Sequence, residues 1–365
     1  AGAAAMTEGL VLPIADVHLG VPQCSSTGNF AGVSPVTSRH LLKHEFDLFH
    51  APAHGNLPES IYGAAMMAVI RSSQSRSGTV HGVTMSVFGG LVLNIVMQFY
   101  VLYCTRAYIC IPAIKAVRDL YVRYHDDVFI DGVFSDDAWA LFSHVEELCQ
   151  IPLSQPRFFL AVLICWTATV WADLLESFQY ISLWRALKSP STRHSAVVEA
   201  RDGIVLLVAA NSKTKAFALS TILLPKVVIA VVLWWLGSSW LVSTTSFQDL
   251  LLNAVALAFV TELDELIYKV LVPEDIKATV QSYAISRPQR ASNPFAMNDE
   301  ENGWDSFKAR RDRHLVLRIV GMVLTVLVVV CLPLLFMFRL QQALPGYRWD
   351  VHGPCELRLD EMMAL

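Results

Sequence analysis

The chain has 365 residues, of which 54% are hydrophobic and only 16% are charged, and its mean hydropathy is +0.45. Soluble globular chains usually carry about 25% charged residues. This composition therefore argues against a wholly soluble protein and favours one that lies in a lipid bilayer. The formal net charge is −4, which leaves no basic excess of the kind that nucleic-acid binding needs. No nucleic-acid partner is therefore expected.

Residues 1–83 have mixed character and predict an amphipathic, cytoplasmic N-terminal region with short surface or interfacial helices. One such helix is expected near 38–50 and a second after Pro58. The region also holds two pairs of histidines at the i, i+4 spacing of helical metal ligands. Because no third ligand accompanies either pair, we expect surface histidines and predict no metal site, no cofactor and no catalytic residue. These pairs are His40 with His44 and His50 with His54.

Five later stretches are apolar over about the 20 residues that a membrane-crossing helix needs. They lie near 84–112, 157–184, 216–242, 247–272 and 314–338. The sequence therefore predicts an all-α fold, a polytopic membrane protein with about five transmembrane helices. The predicted bundle occupies 84–338, with an acidic extramembrane segment at 113–156, a polar loop at 273–313 and a C-terminal tail at 339–365.

The stretch 247–272 is the least clear of the five, because its apolar part is short and acidic residues follow it. If it crosses, the face that holds the N-terminus carries 18 lysines and arginines and the opposite face carries 7. If it lies flat on the membrane as an amphipathic helix, the counts become 13 and 12, with no bias. The positive-inside rule therefore favours five crossings, with the N-terminus inside and the C-terminus outside.

Two local patterns concern the extramembrane parts. Ser135 followed by Asp136 and Asp137 predicts the start of a helix, because a serine caps the first amide groups and the helix dipole favours acidic residues there. The seven cysteines show no spacing from which a disulfide framework or a zinc site can be read.

Charged residues within the apolar stretches are the candidate functional site, because such groups are costly in lipid and usually face the bundle interior, a partner or water. From the helical rise of about 1.5 Å per residue, three of them lie roughly 24, 24 and 22 Å from the outer ends of their helices. They are Asp173, Lys226 and Glu262, which would meet in the inner half of the membrane. Nearer the cytoplasmic mouth lie Glu176, Asp264 and Glu265, while Asn94 and Gln98 share one face of the first span.

The leading hypothesis is a channel- or transporter-like protein that moves a cation or protons. The acids would bind or relay the cation, and Lys226 would tune their affinity by neutralising one of them. A second interpretation is a structural ion pair with a spare acid that holds the bundle together. The alternative function is a non-catalytic structural or accessory subunit of a larger membrane complex, and either a homo-oligomer or other membrane subunits are expected as partners. An enzyme is not favoured, because the GxxxxGK[ST], GxGxxG, GxSxG and HExxH motifs are absent.

One segment carries a resemblance to known proteins. The sequence FQDLLLNAVALAFVTELDELIYKVLVP at 247–273 resembles multi-spanning membrane proteins of algae and other protists, dinoflagellates especially. The resemblance covers about one helix and implies an integral membrane protein of that group. It implies no activity and no site residues.

Overall fold

The computed structural model describes residues 54–74, 78–190, 196–201, 203–286, 300–341 and 343–363. The helix expected near 38–50 and the side chains of all four paired histidines lie outside the described part. Over the described residues the chain is mostly helical, as the composition and hydropathy predict.

The helices follow one another through most of the described chain. They are α1 (Ile61–Gln74), α2 (Gly78–Cys104), α3 (Ile111–Val128), α4 (Asp136–Leu141), α5 (Val145–Cys149), α6 (Pro156–Ala186), α7 (Ser212–Ala218), α8 (Leu224–Val242), α9 (Phe247–Thr261), α10 (Leu263–Leu271), α11 (Glu274–Gln281), α12 (Glu300–Leu335) and α13 (His352–Met363). Short π-helical segments extend or join some of them, at Thr105–Cys110, Leu219–Leu223 and Phe336–Leu340. The strands are β1 (His54–Asn56), β2 (Phe129–Ile130), β3 (Val133–Phe134), β4 (Ala196–Arg201), β5 (Ile204–Ala210) and β6 (Tyr283–Ser286).

Four helical stretches of the described chain are long and apolar enough to cross a membrane. They are Val80–Val128, Pro156–Ala186, Ser212–Val242 and Leu315–Leu340. Each contains or nearly coincides with one of the predicted spans, and the first continues well past the predicted end at residue 112. The sequence therefore located four of its five predicted helices correctly.

The stretch 247–272 is not the single long helix that the sequence predicted. It is divided into α9 and α10 at Glu262, whose backbone (φ −90°, ψ 2°) leaves the helical path. The Thr261 hydroxyl donates to the Ala258 carbonyl at 2.6 Å, and Asp264 and Glu265 begin a new helix where its dipole favours negative charge. Since α9 has 15 residues, its length of roughly 23 Å is short of a hydrocarbon core of about 30 Å.

A four-stranded sheet is the part of the fold that the all-α prediction missed. Its strand order is β1-β6-β5-β4, with β5 and β6 parallel and the other two pairs antiparallel. The signal was present in the sequence, because β4 and β5 are rich in valine and Asp202-Gly203 separates them. An Asp-Gly pair between two such runs is a strong hairpin pattern, and Gly203 has the positive φ (80°) that such turns need.

The helices run between two ends of the molecule, which we name the sheet end and the cap end. The sheet end holds the four-stranded sheet, and β1 is fixed there to the last turns of α6 by the Tyr180 hydroxyl, which donates to the Asn56 carbonyl at 2.6 Å. The cap end holds α3, the β2–β3 hairpin, α4, α5 and the chain from Gln341 through α13. Within it, α4 begins after Ser135, whose hydroxyl accepts from the Ala138 amide at 3.4 Å, as predicted.

Five traverses connect these ends. The continuous helix α2–α3 and the pair α7–α8 run from the sheet end to the cap end, and α6 returns. Helix α12 packs against α6 and leads into the cap end through the π-helical segment Phe336–Leu340. The pair α9–α10 also returns: the Phe247 ring at its start packs on the Phe158 ring near the start of α6, while β6, shortly after α10, joins the sheet. Over the described residues the chain therefore passes along the bundle five times, one of them through a broken helix.

Helix α1 was expected at a surface, and the structure places it in the core. Every residue from Ile61 to Ile70 is buried, which suits a helix that is apolar around its whole circumference. It packs against α2, α10 and α11. Its first turn is tight, since a Cβ on Gly63 would lie 1.9 Å from the Pro58 carbonyl oxygen.

Candidate functional site

Lys226 is the centre of the candidate site. Its ammonium nitrogen lies 2.9 Å from Asp173 Oδ1, 2.9 Å from Glu176 Oε2 and 3.9 Å from Asp264 Oδ2. Helix α8 supplies the lysine, while α6 supplies two of the acids and α10 the third. We call these four residues the Lys226 cluster. With all groups ionised, three carboxylates face one ammonium group, so the cluster has two negative charges in excess.

The local sequence explains why these side chains converge. Asp173 and Glu176 are three residues apart on α6, so both carboxylates lie on the same face of that helix. Asp264 lies in the first turn of α10, directly after the break at residue 262, and α10 packs against α1 and α2. Lys226 is the third residue of α8 and follows Pro225, where α8 continues from the π-helical segment Leu219–Leu223.

A neutral polar group adjoins the cluster from α1 and α2. The Tyr62 hydroxyl donates to Gln98 Oε1 at 3.1 Å, and the Asn94 amide nitrogen lies 3.2 Å from that hydroxyl and 3.3 Å from Gln98 Oε1. The Lys226 ammonium group lies 5.4 Å from the centre of the Tyr62 ring, which is within the range of a cation–π contact. The site therefore draws side chains from five helices, and its neutral members are buried.

A small cavity lies between these two groups. It measures about 20 Å³, and Tyr62, Gln98, Asp173, Lys226 and Asp264 line it together with Thr261 and apolar residues of α8 and α9. A water molecule needs roughly 10–15 Å³ measured in this way and two to four polar partners. The cavity therefore has room for about one water molecule and is too small for an organic substrate.

The two sides of the cluster differ in exposure. Toward the sheet end, the Glu176 side chain is 42% exposed and that of Asp173 is 27% exposed, while Lys226 and Asp264 are below 10%. Toward the cap end, the rings of Trp166 and Trp234 are buried between α6 and α8. The Trp234 indole donates to the Thr167 hydroxyl at 3.1 Å. The two carboxylates of α6 are therefore the exposed part of the cluster, whereas toward the cap end α6 and α8 are closely packed.

The six predicted site residues do not all meet. Asp173, Glu176, Lys226 and Asp264 come together, whereas Glu262 was predicted at the centre and is not there. Glu262 is exposed at the junction of α9 and α10 and lies outside salt-bridge distance of Lys226. The estimate of depth from the sequence assumed one continuous helix. Because the helix breaks at residue 262, Asp264 and not Glu262 lies beside Lys226. Glu265 is exposed and pairs with Lys269 at 3.3 Å on its own helix.

One feature of the site went unrecognised in the sequence. Tyr62 lies in a short helix that was expected at a surface, and only its fully apolar neighbours indicated burial. Asn94 and Gln98 were expected on one face of the first span, and the structure places their side chains 3.3 Å apart beside Tyr62. Over the described residues the structure forms no group of three or more His, Cys, Asp or Glu side chains suited to a metal ion.

Comparisons with known proteins add no assignment. No protein-family model matches the chain. Neither a curated protein nor a solved structure is similar enough to match.

Proposed function

We propose that this chain is a membrane protein with five crossings that moves protons through the Lys226 cluster. In this arrangement α9 and α10 together form the fourth crossing, and the exposed apolar surfaces of α2, α9 and α12 face lipid. The large apolar side chains that α12 leaves exposed along most of its length support that placement, because water is a poor environment for such a surface.

The surplus of carboxylates around one lysine is the observation that carries the proposal. Carboxylates in excess of their counter-ion are costly where they are poorly solvated, and Lys226 and Asp264 are both buried. Two surplus negative charges therefore favour the uptake of protons or of a cation. The cavity has room for about one water molecule, which favours a proton over a hydrated metal ion. Chains of acids within membrane helices are a common means of relaying protons.

The difference in exposure suggests how access alternates. In the present conformation Glu176 and Asp173 exchange protons with the sheet side, and the Trp166–Trp234 contact blocks the cap side. Release to the cap side then requires α6 and α8 to separate at this contact. The protein would thus act as a gated transporter, and an open proton channel is less consistent with the packing.

The direct test is proton flux in reconstituted vesicles. A potassium gradient with valinomycin sets the membrane potential, and a trapped pH-sensitive dye reports proton movement. We expect the unmodified protein to conduct protons and Asp173→Asn to reduce the initial rate at least tenfold. Asp249→Asn is the matched control, because Asp249 is exposed in the first turn of α9, outside the cluster. Absence of flux in the unmodified protein, or equal rates for all three proteins, would refute the proposal.

A second candidate function is that of an accessory subunit, and the exposure of α12 favours it. In the most apolar 18-residue segment of this helix, only 11% of the residues are buried by the rest of the chain. Gly321 and Thr325 lie four residues apart on this helix, the spacing of small residues at which membrane helices approach closely. A mass in detergent well above that of one chain, or co-purifying membrane subunits, would support this function.

A further inference from the structure

The cap end is closed by a disulfide between Cys149 and Cys355. This bond joins the end of α5 to α13 across 206 residues of sequence, with the two Cα atoms 5.2 Å apart. Both residues are buried. The separation of the Cα atoms lies within the usual range for disulfides. Sequence spacing gave no sign of the pair, because the bond depends on the fold to bring together two distant segments.

Hydrogen bonds hold the same segments in contact. Arg118 of α3 donates to the Ala343 carbonyl at 2.8 Å, and the Tyr347 hydroxyl donates to the Leu153 carbonyl at 3.2 Å. Burial, and to a lesser extent the Asp350 carboxylate, raise the pKa of Tyr347, so its hydroxyl keeps its proton and remains a donor. The two cysteines are therefore held adjacent by a network that does not depend on the disulfide itself.

Formation of this bond requires an oxidant. The two thiols together lose two protons and two electrons, and a disulfide of the dithiol–disulfide exchange class, either of an oxidoreductase or of a small thiol, accepts them and becomes two thiols. Such exchange yields a stable product in secretory, extracellular or periplasmic compartments. In the cytosol the glutathione and thioredoxin systems keep most thiols reduced.

We infer that the cap end faces an oxidising, non-cytosolic compartment and that the sheet end faces the cytosol. The excess of lysine and arginine that the sequence gives to the N-terminal side of the five predicted spans agrees with this orientation through a physically separate effect, the positive-inside rule. The inference rests on the proposed placement of the bundle across a membrane, but it does not depend on proton transport. If both proposals hold, the exposed carboxylates of α6 exchange protons with the cytosol.

Engineered glycosylation sites test the orientation, because N-glycans are added only on the lumenal side of the endoplasmic reticulum. Asp131→Asn with Val133→Ser creates an Asn-Gly-Ser acceptor in the exposed β2–β3 turn of the cap. Residue 131 has φ 54°, a conformation that asparagine tolerates well. Asp202→Asn with Ile204→Thr places the matched acceptor between β4 and β5 at the sheet end.

After expression in a eukaryotic cell, we expect the cap variant alone to show a gel shift that endoglycosidase removes. Thiol labelling of the denatured chain, with and without prior reduction, tests the disulfide separately. Reduction should uncover two thiols in the unmodified protein that are lacking in the Cys149→Ser/Cys355→Ser double variant. A glycan on the sheet-end variant, or the same number of thiols with and without reduction, would overturn the inference.

Discussion

Lys226 shows how one residue can hold several segments together. It neutralises part of the charge on Asp173, Glu176 and Asp264, and it also contacts the Tyr62 ring. Removal of one partner from a buried ion pair usually costs more than the pair contributes, because the remaining charge is left without compensation. The stability of the bundle should therefore depend on this lysine more than on any exposed one.

Lys226→Met tests that dependence. The substitution keeps the length of the side chain and leaves three carboxylates without a counter-ion, so we expect a loss of about 3–5 kcal/mol in unfolding free energy. The matched control is Lys269→Met, which breaks only an exposed pair with Glu265 and should change stability by about 0.5 kcal/mol or less. Thermal unfolding in detergent compares the two variants, and equal melting temperatures would contradict the central place of Lys226.

At the scale of elements, α1 and α9–α10 set the geometry of the site. Helix α1 places Tyr62 against Lys226, and the break between α9 and α10 lets Asp264 reach it. The positions of the long helices could be predicted from the sequence, because each long helix contains an apolar stretch of the length that a bilayer requires. The break could not be predicted, since Glu262 is helix-compatible and its deviation arises from packing of the two halves against different neighbours.

Gly63→Ala tests the packing of α1. A Cβ at this position would meet a backbone carbonyl oxygen at 1.9 Å, which cannot move without displacing the chain before α1. Overpacking of this kind typically costs about 1–3 kcal/mol, so the melting temperature in detergent should fall. Gly321→Ala on α12 is the control, because a Cβ there meets nothing within 4 Å and alanine is the better helix former. A stable Gly63→Ala variant would show that α1 is not packed as described.

At the scale of the whole molecule, the described bundle has two ends of different chemistry around a charged centre. Hydropathy located four helices long and apolar enough to cross a membrane, whereas the fifth predicted span, 247–272, is a broken helix. The β4–β5 hairpin had a local Asp-Gly signal. The pairing of β6 with β1 and β5, and the disulfide, could not be predicted, because they join segments that are distant in sequence. The site was also predicted only in part. Asp173, Glu176 and Lys226 could be identified because they are charged residues within apolar stretches. That Asp264 and not Glu262 contacts Lys226 depends on the helix break, which only the structure shows.

The most direct test of the account compares proton flux through Asp264→Asn and Glu262→Gln in vesicles of equal protein content. These residues are two positions apart and each carries a carboxyl group, but only Asp264 is buried against Lys226. The account predicts that Asp264→Asn lowers the initial rate at least tenfold and that Glu262→Gln leaves the rate unchanged. Loss of flux in Glu262→Gln with full flux in Asp264→Asn would contradict it.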